Sequence, residues 1–357
     1  LNKQFRYGLV VGKFCPLHRG HESVIKRAIE CCDEVVVISY TKPEFDGCGP
    51  TAREKWIGEL FPAVTRLVID DHILRRRCDA RHVPAIFPIP HNDAPEADHR
   101  EFVGWLCCSV LVKAVDAVFT SEAYGEGFAR HLSRYFQNRV PDFGTVVHVC
   151  VDQTRERIPI SGTTIRSSPH RFLEFLSAAV YASFVKRVCL LGGESTGKTT
   201  LAQALAARLQ TAWAAEFGRE LWDLKNGRLE FEDMLRIGVA QMEREDALKQ
   251  EANTWLVCDT SPLTTLFYSL DLFGKADPKL VQLACREYDH VFLCAPDFPF
   301  VQDSTRRDES FRNRQHEWYS SELCRKGIRF TTLHGGVDHR ANTALSILEN
   351  FAAGKKT

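Results

Sequence analysis

Twice in this chain an apolar, strand-like run ends in a glycine-rich turn that opens a helix, and no other feature restricts the fold as much. The first run spans residues 7–12 and its helix is expected over 22–32; the second spans 186–191, with a helix over 199–209. Further short apolar runs at 35–39, 66–69, 117–121, 145–152, 255–258 and 290–294 read as strands, and 51–61 as another helix. Short buried strands alternating with longer helical segments define an α/β chain with parallel sheets. In such sheets ligands bind beyond the carboxyl ends of the strands, which is where both glycine-rich turns fall.

A chain of 357 residues exceeds one ordinary domain. The repeated pattern divides it into a first domain at 1–170, a connecting helix at 171–185 and a second domain at 186–357. Residues 71–99 are rich in Pro, His and Arg and read as a long loop, able to close over the first turn or to pack on a neighbouring subunit. Lysine plus arginine equals aspartate plus glutamate at 46 each, so the basic excess of a nucleic-acid or membrane-surface protein is missing. The 13 cysteines form no Cys-x-x-Cys pair and are odd in number, and there is no signal peptide. They read as reduced thiols of a cytoplasmic protein. No apolar run is long enough to span a bilayer.

The first turn reads Gly12-Lys13-Phe14-Cys15-Pro16-Leu17-His18-Arg19-Gly20-His21. His18 and His21, three apart, share one face of the first helical turn. Gly20 lets a phosphate approach the backbone, and the helix start adds N–H donors and partial positive charge. This set of donors suits nucleotidyl transfer, in which a phosphate nucleophile attacks the α-phosphorus of ATP and pyrophosphate leaves. A second segment, Ile160-Ser161-Gly162-Thr163-Thr164-Ile165-Arg166, offers a serine-capped helix start with an arginine able to clamp a polyphosphate.

The second turn, Gly192-Gly193-Glu194-Ser195-Thr196-Gly197-Lys198-Thr199-Thr200, satisfies G-x-x-x-x-G-K-[ST] between a strand and a helix, the context of a true P-loop. Its amides cradle phosphates, Lys198 reaches the β and γ oxygens, and Thr199 ligates Mg²⁺. Asp259, at the end of the run Trp255-Leu256-Val257-Cys258, supplies the partner acid for the metal or for the acceptor hydroxyl.

The His-x-Gly-His and Ile-Ser-Gly-x-x-x-Arg pair resembles the nicotinamide-nucleotide adenylyltransferases, and Gly-Lys-Phe-x-Pro-Leu-His-x-Gly-His resembles the NadR-type bifunctional proteins. Ala215-Glu216-Phe217-Gly218-Arg219, Cys258-Asp259-Thr260-Ser261-Pro262-Leu263-Thr264-Thr265 and Pro299-Phe300-Val301-Gln302-Asp303 are similar to segments of the ribosylnicotinamide kinase half of that group. The resemblance implies a Rossmann-like nucleotidyltransferase domain followed by a P-loop kinase domain. It implies that His18, His21 and Arg166 hold the ATP phosphates with Lys13 assisting, and that Gly12, Phe14, Gly20, Thr120, Ser121, Ser161 and Gly162 complete that ATP site.

In the kinase half it implies the P-loop residues 192–200 and the lid arginines Arg306, Arg307 and Arg312 for ATP. Glu216, Arg219 and Asp259 would contact the nicotinamide substrate, as would Trp105 in the first half. The implied partners are ATP, ribosylnicotinamide, NMN and product NAD, with Mg²⁺; homo-oligomerisation is left open. Ser261 stands where relatives carry an acid and Ser304 where they carry a glycine. With the first strand beginning almost at once, the helix-turn-helix domain found in some members is not expected. Two rivals stay open: another phosphorylated acceptor such as phosphopantetheine or a choline or glycerol phosphate, and a sensor that binds nucleotide without turnover.

Overall fold

A computed structural model describes residues 3–84, 86–152, 156, 158–297 and 308–352. The chain divides into two compact units, Leu1–Phe184 and Val185–Thr357.

The first unit is built on five parallel strands: β1 (Phe5–Val11), β2 (Cys32–Tyr40), β3 (Thr65–Ile69), β4 (Ala117–Thr120) and β5 (Val147–Cys150). Their order is β3-β2-β1-β4-β5, every pairing parallel. The chain therefore reverses its direction of travel across the sheet between β1 and β4, the crevice where doubly wound sheets bind nucleotides. Runs such as Val35-Val36-Val37-Ile38 are buried on both faces, as strands covered by helices on each side require. Helix Arg19–Cys31 buries Val24, Ile25, Ala28 and Cys31, and helix Gly125–Gln137 buries Phe128, Ala129, Leu132 and Phe136. With Leu9, Val36, Ile38, Phe102 and Val118, residues of the second helix form the main core.

Two expectations for this unit are corrected. Residues 71–99 are not one loop: Asp71–Arg81 is a helix, and Glu96–Trp105 begins another. The Asp70 carboxylate accepts the Ile73 amide at 2.7 Å and caps the first of these helices, while Leu74 and Cys78, one turn apart, anchor it to the core. The stretch predicted as a helix over 171–185 is broken into a 3-10 segment, Pro169–Phe175, and a single α-turn, Ala178–Tyr181. It packs on the first unit, where the Trp56 indole donates to Ser183 Oγ at 2.8 Å and its ring stacks on Phe184.

The second unit carries β6 (Lys186–Gly192), β7 (Trp213–Ala214), β8 (Trp255–Asp259), β9 (His290–Cys294) and β10 (Phe330–Leu333), ordered β10-β9-β6-β8-β7 and again wholly parallel. Strands β7 and β10 have no strong apolar run and were not foreseen. Helix Lys198–Leu209 lies on one face against helix Val337–Ala352, burying Leu201, Leu205, Ala341, Ala344 and Leu348 together. The other face is filled by Leu263, Leu266, Tyr319 and Leu323. No described helix is long and apolar enough to cross a membrane.

Arg340, 1% exposed, ties the far end of the chain to the phosphate turn. Its guanidinium donates to the carbonyls of Thr196 at 2.7 Å, Ala295 at 2.9 Å and Gly335 at 2.8 Å, and pairs with Asp297. Removing it strands several buried acceptors without donors. Arg340→Ala is expected to cost the second unit about 3 kcal/mol. Calorimetry should show an earlier unfolding transition for that unit with the transition of the first unit unmoved.

Candidate active sites

The first site lies past the carboxyl end of β1. Gly12 donates its amide to Ile38 O at 3.1 Å, one more bond to β2 just beyond the end of β1. A Cβ at this position would stand 2.8 Å from the Phe14 ring, so only glycine fits. Phe14 itself is buried with φ +49°, a strained conformation for a large side chain. Its ring meets that of His21 edge-on at 5.0 Å and fixes the imidazole.

His18 caps helix Arg19–Cys31: its Nδ1 accepts the Gly20 amide at 3.2 Å, which leaves the ring proton on Nε2 as a donor. The imidazoles of His18 and His21 stack with centroids 3.7 Å apart. A Cβ on Gly20 would meet the His18 ring at 3.0 Å, so the glycine keeps the stacked pair close to the helix start.

Ser161 caps the short helix Gly162–Ser167, its hydroxyl accepting from the Thr164 amide at 3.1 Å. Gly162 lies so close to the first turn that a Cβ would sit 2.9 Å from the Cys15 carbonyl. The two motifs, far apart in sequence, are thus brought into backbone contact. Arg166 donates to Cys15 O, bonds Thr163 Oγ1 at 3.0 Å and covers the Phe45 ring.

A cleft of about 470 Å³ is lined by Gly12, Lys13, Phe14, His18, Gly20, His21, Thr120, Ser121, Ser161, Gly162 and Arg166, so every ATP-site residue expected in this half shares one wall system. Burial, then the neighbouring Arg166, lowers the proton affinity of Lys13. Two cations crowded together and satisfied largely by carbonyl and hydroxyl oxygens make a seat for a polyanion.

A smaller cleft of about 240 Å³ shares Val11, Gly12, Lys13 and Tyr124 with the first and is bounded by Tyr40, Asn92, His99, Val103 and Phe128. There the Tyr40 hydroxyl and His99 Nδ1 are 3.0 Å apart. Burial, followed by Lys13, depresses the proton affinity of His99. No motif announced this chamber. Trp105, a candidate for the nicotinamide ring or for the core, is a core residue: it is 3% exposed, with its ring against Phe87 and Phe102.

The second site sits at the end of β6. Gly192 (φ +148°) and Gly197 (φ +76°) adopt conformations open to glycine, and Ser195 is held at φ +57° between them. A Cβ on Gly193 would collide with the Arg312 carbonyl at 2.6 Å. Lys198 Nζ donates to the carbonyls of Gly192 at 3.0 Å and Gly193 at 2.9 Å, and Thr196 Oγ1 to Gly193 O at 2.8 Å.

Asp259 ends β8 and is 1% exposed. Burial raises its proton affinity, opposed by the Thr199 hydroxyl and the Lys198 ammonium beside it. Neither carboxylate oxygen receives a well-formed hydrogen bond among the described residues. A buried acid so placed next to a threonine hydroxyl fits a divalent cation.

The second cleft, about 480 Å³, is lined by Glu194–Thr200, Glu216, Arg219, Thr260, Thr264 and Thr265, and by Trp222, Tyr268 and Gln315, which no sequence pattern singled out. Ser261 caps helix Pro262–Phe273 through the Leu263 amide at 3.2 Å, a local task that serine performs as well as an acid. Arg312, expected in a lid, is buried under the phosphate turn and paired with Glu309 at 2.8 Å. Arg306, Arg307, Ser304 and the segment 299–303 lie outside the described residues.

Fold and sites together define the class: a nucleotidyltransferase-type Rossmann-like unit joined to a P-loop kinase-type unit, each with its own nucleotide cleft. Residues 187–340 match the family described as AAA domain. The chain is 29% identical over 330 residues to the trifunctional NAD biosynthesis/regulator protein NadR of Salmonella typhimurium, covering 85% of this chain and 72% of that protein. Crystal structures of NadR protein in complex with NAD and AMP-PNP, and in complex with NR, each share the fold at a TM-score of 0.66. They cover 99% of this chain and 97% of theirs, at 18% and 19% identity. Over most of its length the chain is thus similar in sequence, and over nearly all of it in fold, to NadR proteins.

Glu216 yields a test of the second cleft. Its carboxyl is pushed up to about 7 from an ordinary 4.5, first by burial, with Lys198 opposing and Asp259 reinforcing. Between those values the folded state holds a proton that the unfolded chain has released, so this group's contribution to stability falls as pH rises from 4.5 to 7. The loss of thermal stability across that window should be shallower in Glu216→Gln than in the parent, measured as unfolding midpoint against pH.

Proposed function

We propose that the protein makes NAD in two ATP-dependent steps, phosphorylating ribosylnicotinamide in the second unit and adenylylating the resulting NMN in the first. One observation carries this reading: each phosphate-binding turn opens directly onto a chamber of the size and lining for a nicotinamide nucleoside or nucleotide. The likeness to NadR, whose structures hold NAD, AMP-PNP and NR, supports it.

In the first unit His18 Nε2, His21, Lys13, Arg166 and the start of helix Arg19–Cys31 surround the triphosphate. A phosphate oxygen of NMN attacks the α-phosphorus and the bond to the β-phosphate breaks, releasing pyrophosphate. Negative charge accumulates on the α and β oxygens as this happens, where these donors already stand. The smaller cleft beside Lys13 takes the nicotinamide end of the acceptor.

In the second unit the amides of residues 193–199 and Lys198 hold the β and γ phosphates. The acceptor 5′-hydroxyl attacks the γ-phosphorus, the bond from that phosphorus to the β,γ-bridging oxygen breaks, ADP leaves, and the hydroxyl proton passes to water. Thr199 and Asp259 are the residues to hold Mg²⁺, which neutralises phosphoryl charge when bound.

The decisive experiment follows NMN and NAD together after adding ribosylnicotinamide and Mg-ATP. His18→Ala and His21→Ala are expected to lower NAD formation at least about 100-fold while NMN formation stays within about twofold. Lys198→Ala is expected to abolish NMN formation and to spare conversion of supplied NMN to NAD. Loss of both steps in any one of these folded variants defeats the two-site reading.

A further inference from the structure

The second cleft has two acids, Glu194 and Glu216, in its lining, which phosphate binding does not call for. Glu194 is the third residue of the phosphate turn, and a carboxylate beside a polyphosphate is repelled by it. Two other elements hold this residue. Tyr268, on helix Pro262–Phe273, donates its hydroxyl to Glu194 Oε1 at 2.8 Å. Gln315, on helix Glu309–Arg325, accepts the Glu194 amide through Oε1 at 2.9 Å. Tyr268 is itself a wall of the chamber, so the bond draws the carboxylate towards the acceptor side.

Glu216 faces the same space and is close enough to Glu194 for the two charges to repel. Part of the wall is apolar, formed by Trp222, Met234, Ile237 and Leu272; of the two cations that also line the cleft, Lys198 belongs to the phosphate turn and Arg219 is paired with Asp223 at 3.3 Å. The Glu194 carboxylate, with a second acid that ionises around pH 7 and aromatic and aliphatic side chains beside it, suits a flat organic cation, whose ring is covered by the apolar side chains and whose charge is met by the acids.

We propose that Glu194, positioned by Tyr268, belongs to the acceptor site and selects a nucleoside with a positively charged ring over a neutral one of the same shape. Tyr268 acts through Glu194 and is a positioning residue. The inference rests on the kinase reading above and adds the basis of acceptor choice.

The test compares two acceptors, the cationic nicotinamide riboside and its uncharged dihydro form, with Mg-ATP as donor. In the wild-type protein kcat/KM is expected to favour the cation. In Tyr268→Phe and in Glu194→Gln that preference is expected to shrink by about tenfold, with KM for ATP moving less than about threefold. An unchanged preference, with both acceptors slowed alike, assigns the pair to general packing and overturns the proposal. A rise in KM for ATP with the preference intact returns Glu194 to the phosphate site and also overturns it. If the wild-type protein phosphorylates neither riboside, the kinase assignment itself fails first, a result distinct from both.

Discussion

Both sites depend on one constraint of parallel sheets: each strand runs its carboxyl end towards the start of a helix whose first N–H groups have no partner within that helix. Helices Arg19–Cys31 and Lys198–Leu209 each follow directly on the turn that ends β1 or β6. A helix start so placed is completed by an anion. What differs between the units is how side chains finish the seat. The first uses a stacked histidine pair and an arginine brought in by a second capped turn. The second folds a loop of backbone amides around a lysine, with a buried acid at the neighbouring strand end.

Close backbone approach recurs as the means of assembly. Gly162 against the Cys15 carbonyl, Gly193 against the Arg312 carbonyl and Gly12 against the Phe14 ring leave no room for a β-carbon. The first two bring together segments that sequence separates, and the third tightens a single turn. The glycines in the motifs therefore serve contact between segments as much as the turn itself.

How much of this was legible in the sequence follows from how locally each feature is encoded. The strand, turn and helix around His18 and Lys198 are dictated by neighbouring residues, and all the ATP-site residues expected in the first unit converge on one cleft. Helix Asp71–Arg81 has no legible signal because only Leu74 and Cys78 are buried in it, too thin an apolar stripe among the arginines around them. Trp105 has two readings in sequence, because an aromatic side chain looks the same there whether it lines a cleft or fills a core, and the fold selects the core. Tyr268, Gln315 and Arg340 carry no motif; their importance arises only when distant helices are folded against the phosphate turn. The lid arginines Arg306 and Arg307 fall outside the described residues.

Arg340 has a consequence for the order of events during synthesis. The phosphate turn is complete as a stretch of chain by Thr199, yet the guanidinium that binds its Thr196 carbonyl lies 144 residues further on. Strand β6 and its turn therefore emerge from the ribosome well before the group that fixes them. The first unit, all of whose site residues precede Ser167, has no such dependence. Vectorial folding should then mature the two clefts at different times, the adenylyl-transfer cleft early and the kinase cleft only once the last helix has docked.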